Sequence, residues 1–474
     1  MKKRPNIIFI VLDAVRADHL SCYGYKRATT PTIDTIASEG ALFQQAVASA
    51  PWTLPSHSSM FTGLFPSEHA TSQEKPSLSL AIPTLAELLQ QIGYKTGGFS
   101  NNPWIDSMTG LNRGFEFFLN WKNFRPNNDT SALKKLARKL GLTTQKRMAE
   151  STISHMLQWL NTHFNQKSPA PFFLFVNFME AHLPYSPPRE FAQQFVPGQL
   201  PSFNINQNDA KYLTGRVTMT SEDFEMLSAL YDGELLYLDS QLERFFSTLD
   251  RLKLLEDTFV VITSDHGENL GDHGLMTHIF CLYDTLIRVP LLMKFPSQIE
   301  SGSIVNTQVQ IQDLFSTLLK VAGSAVQTPG YKPEKSILDV LTTPENQERQ
   351  NIAFAEYAYP ALTLKRLQKY DPNFDNPQLI TALKCARTPN FKLIWSERGQ
   401  DEFYNLQEDP FEENNLIFSQ DKVLLEKITF FREVLDGWEK SLVRFQQNDN
   451  LTEHVPFSAD EAVVSRLRDL GYLE

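Results

Sequence analysis

The stretch Thr258-Phe259-Val260-Val261-Ile262-Thr263-Ser264-Asp265-His266-Gly267-Glu268 sets the class of fold. Its first half carries no charge and is rich in β-branched and aromatic side chains, the pattern of a strand buried on both faces of a parallel sheet. Polar residues follow at once, so Asp265 and His266 stand at the strand's C-terminal end, where open α/β sheets hold ligands. A carboxylate beside an imidazole is a metal-ligating pair. Alone, the dipeptide is a weak signal; His273 and His278, just downstream, are further candidates.

Working outward, the same strand-then-polar pattern recurs. The run Asn6–Leu12 ends in Asp13; Lys95–Ser100 ends in Asn101 and Asn102; Phe172–Phe178 leads through Met179-Glu180-Ala181 to His182. Residues 50–63 read as a capped helix start: Thr53 or Ser56 caps, Pro55 fits the first turn, and Gly63 ends it. The free N–H groups of that turn suit an anion. Between these sites the sequence predicts helices over 31–39, over 85–92 behind the Thr84/Glu87 capping box, over 221–254 and over 309–322. Residues 189–222 read as an irregular excursion, and 133–140 as a basic amphipathic helix that either is solvated or roofs the site and attracts an anion. Strands are expected over 352–357, 380–387 and 391–395. The expected fold is α/β: a large, mostly parallel sheet flanked by helices over 1–330, a connecting segment over 331–350, and a smaller C-terminal α+β domain with an antiparallel sheet over 351–474.

Composition narrows the function. A chain of 474 residues exceeds one ordinary core. A net charge of −11 lacks the basic footprint of a nucleic-acid binder. Three cysteines, Cys22, Cys281 and Cys385, are odd in number and far apart, which gives neither a disulfide framework nor zinc spacing and fits a reducing compartment. The apolar run 7–12 is short, is followed by an acid and lacks a cleavage site, so it reads as a strand rather than a signal peptide. No run approaches the ~20 apolar residues of a membrane span. A cytoplasmic location is expected.

These segments together resemble the sulfatase-like branch of the alkaline phosphatase superfamily, and the likeness spans nearly the whole chain. The family signature C/S-x-P-x-R followed by T-G is met by Thr53-Leu54-Pro55-Ser56-His57 and Thr62-Gly63. Its opening is met by Asp13, Arg16, Asp18, Cys22, Tyr23 and Gly24, with Ala14 where a second metal carboxylate is common. The F-x-H-x-P-Y-x-P-P segment is met around His182, and Ser264-Asp265-His266-Gly267-Glu268 with Gly271-Asp272-His273-Gly274, His278, Tyr283 and Arg288-Val289-Pro290 matches the most specific motif. The acidic segment 401–416 and the closing 464–473 match the family's C-terminal motifs. Ile279 and Phe280 stand where a lysine is frequent. Thr53 replaces the Cys or Ser that sulfatases convert to formylglycine, a change shared with threonine-nucleophile phosphodiesterase and phosphoglycerol-transferase relatives.

The resemblance implies one divalent metal held by Asp13, Thr53, Asp265 and His266, manganese first, with magnesium, zinc or calcium as the other candidates. It implies Thr53 as nucleophile, His182 or His278 as general acid, and His57 beside them in place of the arginine; Asn101 and Asn102, at a strand's C-terminal end, are candidate substrate-binding groups that could equally be turn residues. The expected activity is a metal-dependent hydrolase or transferase acting on a small anionic ester, a phosphodiester or phosphonate monoester. A sulfuric ester hydrolase without formylglycine is the alternative, and a non-catalytic anion-binding relative the alternative of another class. No nucleic acid and no transmembrane segment are expected; a homo-oligomer stays open.

Overall fold

The computed structural model describes residues 4–124, 148–166, 169–196, 205–342 and 352–445. The basic segment 133–140 and the closing motif 464–473 lie outside them. An eight-stranded sheet forms the centre, in the spatial order Ser303–Val305, Ala41–Phe43, Leu291–Lys294, Thr258–Thr263, Asn6–Leu12, Phe172–Phe178, Lys95–Ser100, Phe117–Asn120. Five neighbouring strands from Thr258–Thr263 to Phe117–Asn120 pair in parallel, and Leu291–Lys294 runs against both of its neighbours. The middle strands are buried along their length, as their unbroken apolar runs require.

Parallel strands need crossovers, and helices supply them. Met148–Phe164 precedes the strand Phe172–Phe178, and the long helix Ser221–Arg251, opened by a Thr220/Asp223 capping box, leads to Thr258–Thr263. The 85–92 expectation is met by Leu85–Gln91 with its capping box in place. The expected helix over 309–322 is corrected: Val309–Gln310 pairs as a strand with Ala46–Val47, and the α-helix runs only over Leu314–Val321. Pairing with an available edge outweighed helical periodicity there. The excursion 189–222 contains the short helices Arg189–Ala192 and Asp209–Leu213 among its described residues.

A second sheet, all antiparallel, has the order Ala353–Tyr357, Leu383–Arg387, Phe391–Ser396, Glu402–Asn405. The helix Lys422–Ser441 covers one face through Ile428, Phe431, Leu435 and Trp438, which share a core with Ala386, Leu393 and Phe403. Buried ions join the antiparallel sheet to the short helix Asp284–Ile287. Asp284 accepts from Arg387 Nε at 2.9 Å and from Lys392 Nζ at 2.8 Å, and Lys392 also pairs with Glu412 at 2.7 Å. No described helix is long and apolar enough to cross a membrane, and all three cysteines are free.

Candidate active site

Most of the parallel strands near the centre deliver a polar residue just past their C-terminal ends, so sheet order becomes site order. Asp13 follows Asn6–Leu12, and its N–H donates to the Phe178 carbonyl of the adjacent strand at 2.8 Å. Asp265 and His266 follow Thr258–Thr263 on the other side. Gly267 then turns close under a neighbouring segment. A Cβ there would stand 2.0 Å from the Thr285 carbonyl oxygen, so glycine lets the loop seat His266.

Thr53 arrives from outside the sheet, at the start of the helix Thr53–Thr62, all of whose residues are buried. Here the capping expectation is corrected. The N-cap is Trp52, with no side-chain cap bond, and Ser56 Oγ donates instead to the Asp265 carbonyl at 2.7 Å. That bond ties the helix to the loop carrying Asp265 and His266 and leaves the Thr53 hydroxyl to the site. Gly63, at φ 71°, ends the helix as expected.

Asp13, Asp265 and His266 are all buried, and their ligating atoms lie within 4.8 Å of one another. His266 Nε2 lies 3.3 Å from Asp265 Oδ2, 3.8 Å from Asp13 Oδ1 and 3.3 Å from Thr53 Oγ1. Its Nδ1 is 2.8 Å from the Gly267 carbonyl, an acceptor only, so Nδ1 carries the hydrogen and Nε2 offers a lone pair. Asp13 Oδ2 accepts from Asn102 Nδ2 at 2.7 Å and Asn177 Nδ2 at 3.1 Å. Asp265 Oδ1 accepts the N–H groups of His266 at 3.0 Å and Ala14 at 3.3 Å. The two remaining carboxylate oxygens, Asp13 Oδ1 and Asp265 Oδ2, are buried without a hydrogen bond. Orphaned oxygens facing an imidazole lone pair are a costly arrangement unless a cation satisfies them. The residues fit a divalent metal.

The electrostatics agree. Burial and the neighbouring Asp265 push the Asp13 carboxyl up to about 7. Burial also works against ionised Asp265, but His266 and His57 beside it outweigh that and hold it at about 2. Burial lowers His266, favouring the neutral ring that binds metals.

The other expected residues divide. Asn102 enters the site: its Nδ2 also donates to Thr53 Oγ1 at 3.3 Å, and its Oδ1 is fixed by the Trp104 N–H at 2.9 Å. Asn101 turns to the helix Met148–Phe164, accepting from Thr152 Oγ1 at 2.8 Å. His57 lies one helical turn behind Thr53, Nδ1 3.0 Å from the Thr53 carbonyl and 3.3 Å from Asp265 Oδ2, its ring edge-on to Phe61 and Phe175. It braces the site from below. His278 stacks on His266 with ring centres 4.4 Å apart, and His182 meets His278 at 4.8 Å. His273, the further ligand candidate, instead stacks on Tyr283 at 3.8 Å. With Tyr283, Glu402 and Tyr404 it lines a cavity of about 770 Å³ whose walls include none of Asp13, Thr53, Asp265 and His266.

Two residues of the site had no role assigned from sequence. Asn177 is the one polar residue in Phe172–Phe178, and that exception was its signal. Glu268 lies 3.3 Å from His278 Nδ1 through Oε1. Burial pushes Glu268 up to about 8 and His278 down to about 4.

Comparison with known proteins fits this geometry. The family model described as Sulfatase matches residues 5–324, and the model for the C-terminal part of N-sulphoglucosamine sulphohydrolase matches 271–430. Human iduronate 2-sulfatase is 28% identical, covering 87% of this chain and 90% of its own length. The arylsulfatase of Clostridium perfringens is 23% identical, covering 91% of this chain and 94% of its own. Among solved structures, the phosphonate monoester hydrolase of Agrobacterium radiobacter superposes with a TM-score of 0.71 at 21% identity, covering 92% of this chain and 96% of its own.

Proposed function

The chain belongs to the sulfatase family of hydrolases, within the alkaline phosphatase-like superfamily, and from that premise we propose that it cleaves phosphoesters with Thr53 as nucleophile and one divalent metal, manganese first. The observation that carries the proposal is the place of the Thr53 hydroxyl. It sits 3.3 Å from both Asn102 Nδ2 and His266 Nε2, at the point where the ligating atoms converge. A side chain that is not a formylglycine precursor occupies the nucleophile's position.

When bound, the metal supplies Lewis-acid chemistry: it lowers the hydroxyl pKa and offsets charge on a non-bridging oxygen. Asp13, Asp265 and His266 would hold it, with the Thr53 oxygen beside them. Asn102 points an N–H at the Thr53 oxygen, and its reach extends to an ester oxygen bound there. The Thr53 proton passes to solvent, its oxygen bonds to phosphorus in line, and the ester P–O bond breaks. His278 or His182 gives the departing oxygen its proton. Water or an acceptor alcohol then attacks phosphorus, the bond to Thr53 breaks, and Thr53 takes a proton back.

Charge selects the substrate class. Among the described residues, no Lys or Arg hydrogen-bonds to the side chains of Asp13, Thr53, Asp265 or His266. The nearby Arg16 is held by Asp18 at 2.8 Å and Asp272 at 2.6 Å. A divalent cation against two carboxylates leaves nothing to offset a dianion. Monoanions are therefore favoured: phosphodiesters, phosphonate monoesters and, as the second reading, sulfate monoesters. The named relatives, an arylsulfatase and an iduronate sulfatase, support that second reading.

Paired aryl phosphodiester and aryl sulfate substrates with the same leaving phenol test the choice. The proposal expects kcat/KM to favour the phosphodiester with added manganese. Preferred sulfate turnover replaces it by the second reading.

A further inference from the structure

We propose that the cavity shared by residues 273–283 and the antiparallel sheet is a second binding site, which takes a protonated organic amine with an apolar body. Its walls include no residue of the ester-cleaving centre, so the proposal stands whatever ester that centre hydrolyses.

The cavity encloses about 770 Å³, within the ~300–1,000 Å³ range of small-molecule sites. Glu402 and Tyr404 stand two residues apart on the edge strand Glu402–Asn405, so the strand's period puts them on one face. Tyr283 meets them from the 273–283 segment. Its Oη donates to Glu402 Oε2 at 2.8 Å, and the Tyr404 hydroxyl donates to the same oxygen. The two tyrosine rings lie 6.1 Å apart at 76°, and His273 stacks on Tyr283 at 3.8 Å. These contacts hold the carboxylate in place through Oε2. Its other oxygen, Oε1, accepts no hydrogen bond among the described residues.

Charge selects the ligand. No Lys or Arg stands among the described lining residues, so an anion would meet a carboxylate and no counter-charge. The adjacent carboxylate, Asp401, is already matched: it accepts from Arg432 Nη2 at 2.9 Å and from the Ser396 N–H at 3.1 Å. Glu402 has only hydroxyls for partners, which orient its charge without cancelling it. A divalent metal would find too few oxygen donors here, and the one cluster of three metal-ligating side chains among the described residues is Asp13, Asp265 and His266. A neutral ligand would cover Glu402 and leave its charge unmatched, at a desolvation cost. An ammonium brings both the counter-charge and an N–H for Oε1. The rest of the wall suits an apolar body. Leu275, Phe280 and Leu282 are buried along it, and Phe418 lines it while 85% exposed, an aromatic ring open to a ligand.

The test titrates the full chain, with manganese added, by isothermal calorimetry against three probes of one shape: 4-phenylbutylamine, 4-phenylbutanol and 4-phenylbutyrate. The amine is expected to bind saturably and about tenfold or more tighter than the alcohol, and the carboxylate not to bind. Glu402→Gln keeps an acceptor for both tyrosines and removes the charge. It should weaken the amine by about tenfold and leave the alcohol unchanged. Because Glu402 also braces Tyr283 and Tyr404, Tm is measured alongside and a second variant is used. Gln378 is an exposed lining residue, and Gln378→Lys brings a cation to the wall without touching the core. It too should weaken the amine and spare the alcohol. Four results overturn the proposal: equal affinity for amine and alcohol, tighter binding of the carboxylate, no saturable binding of the amine, or amine binding indifferent to both substitutions. None of these readouts depends on turnover, so a failure here is distinct from a failure of the phosphoester reading.

Discussion

Thr53 Oγ1 lies 3.3 Å from His266 Nε2, and that nitrogen is a lone-pair donor because Nδ1 of the same ring is committed to the Gly267 carbonyl at 2.8 Å. The hydroxyl of the proposed nucleophile therefore rests against an atom offered to the proposed metal. Without a cation, its hydrogen points to Nε2; with one, the lone pair serves the metal and the hydroxyl becomes a neighbour of the charge that activates it.

Metal content should follow the orphaned oxygens. Asp265→Ala removes one of them and leaves Asp13 unbalanced. Elemental analysis should find this variant largely metal-free and inactive. Asn177→Ala, which removes an outer partner of Asp13, is expected to weaken metal affinity by roughly 10–100-fold while leaving some activity at high metal. Full occupancy in Asp265→Ala would contradict the ligand assignment.

The metal-free enzyme should lose stability as pH rises. The folded Asp13 carboxyl is raised from its ordinary 3.8 to about 7, so between those values the native state holds a proton that the unfolded chain has released. The stability associated with that proton is complete below pH 4 and is lost as pH climbs through 7. Urea unfolding of chelator-treated protein should show this decline, and Asp13→Asn should flatten it. Metal binding competes with the same proton, so affinity should rise over the same window.

The buried ions beside the antiparallel sheet should matter to folding more than to chemistry. Lys392 is fully buried between Asp284 and Glu412. Lys392→Met leaves carboxylates without a counter-charge and should cost about 3–5 kcal/mol of unfolding free energy in urea titration. A loss below about 1 kcal/mol would show that Arg387 alone neutralises the cluster.

The central strands and the clustering of Asp13, Asp265 and His266 at their ends were legible in sequence because burial on both faces forces unbroken apolar runs, and most of these runs end abruptly in a polar residue. Four short strands of the same sheet were not: Ala41–Phe43, Phe117–Asn120, Leu291–Lys294 and Ser303–Val305 carry too few residues to show a period. Helix Lys422–Ser441 has a stripe at Ile428, Phe431, Leu435 and Trp438, but exposed Val423, Leu425 and Phe430 put apolar side chains on its other face and blur it. The cap misreading at Thr53 has a similar root: a hydroxyl before a proline signals a cap, and only the tertiary structure shows it turned toward Asn102 and His266. The link between Glu268 and His278 joins residues ten apart through a looped segment, which no local pattern encodes.

Thr53→Ser keeps a hydroxyl and should retain activity within about tenfold, whereas Thr53→Ala should lose on the order of 10³-fold or more in kcat without loss of bound metal. Equal losses in both variants would point to a packing role for the threonine methyl.

The nucleophile is tested most directly by intact-mass analysis of enzyme quenched during turnover of an aryl phosphodiester, with peptide mapping of the adduct. The account predicts a gain equal to the transferred phosphoryl group, located on Thr53 and absent from Thr53→Ala. Steady turnover with unmodified Thr53 at every quench time, or an adduct on another residue, would contradict it.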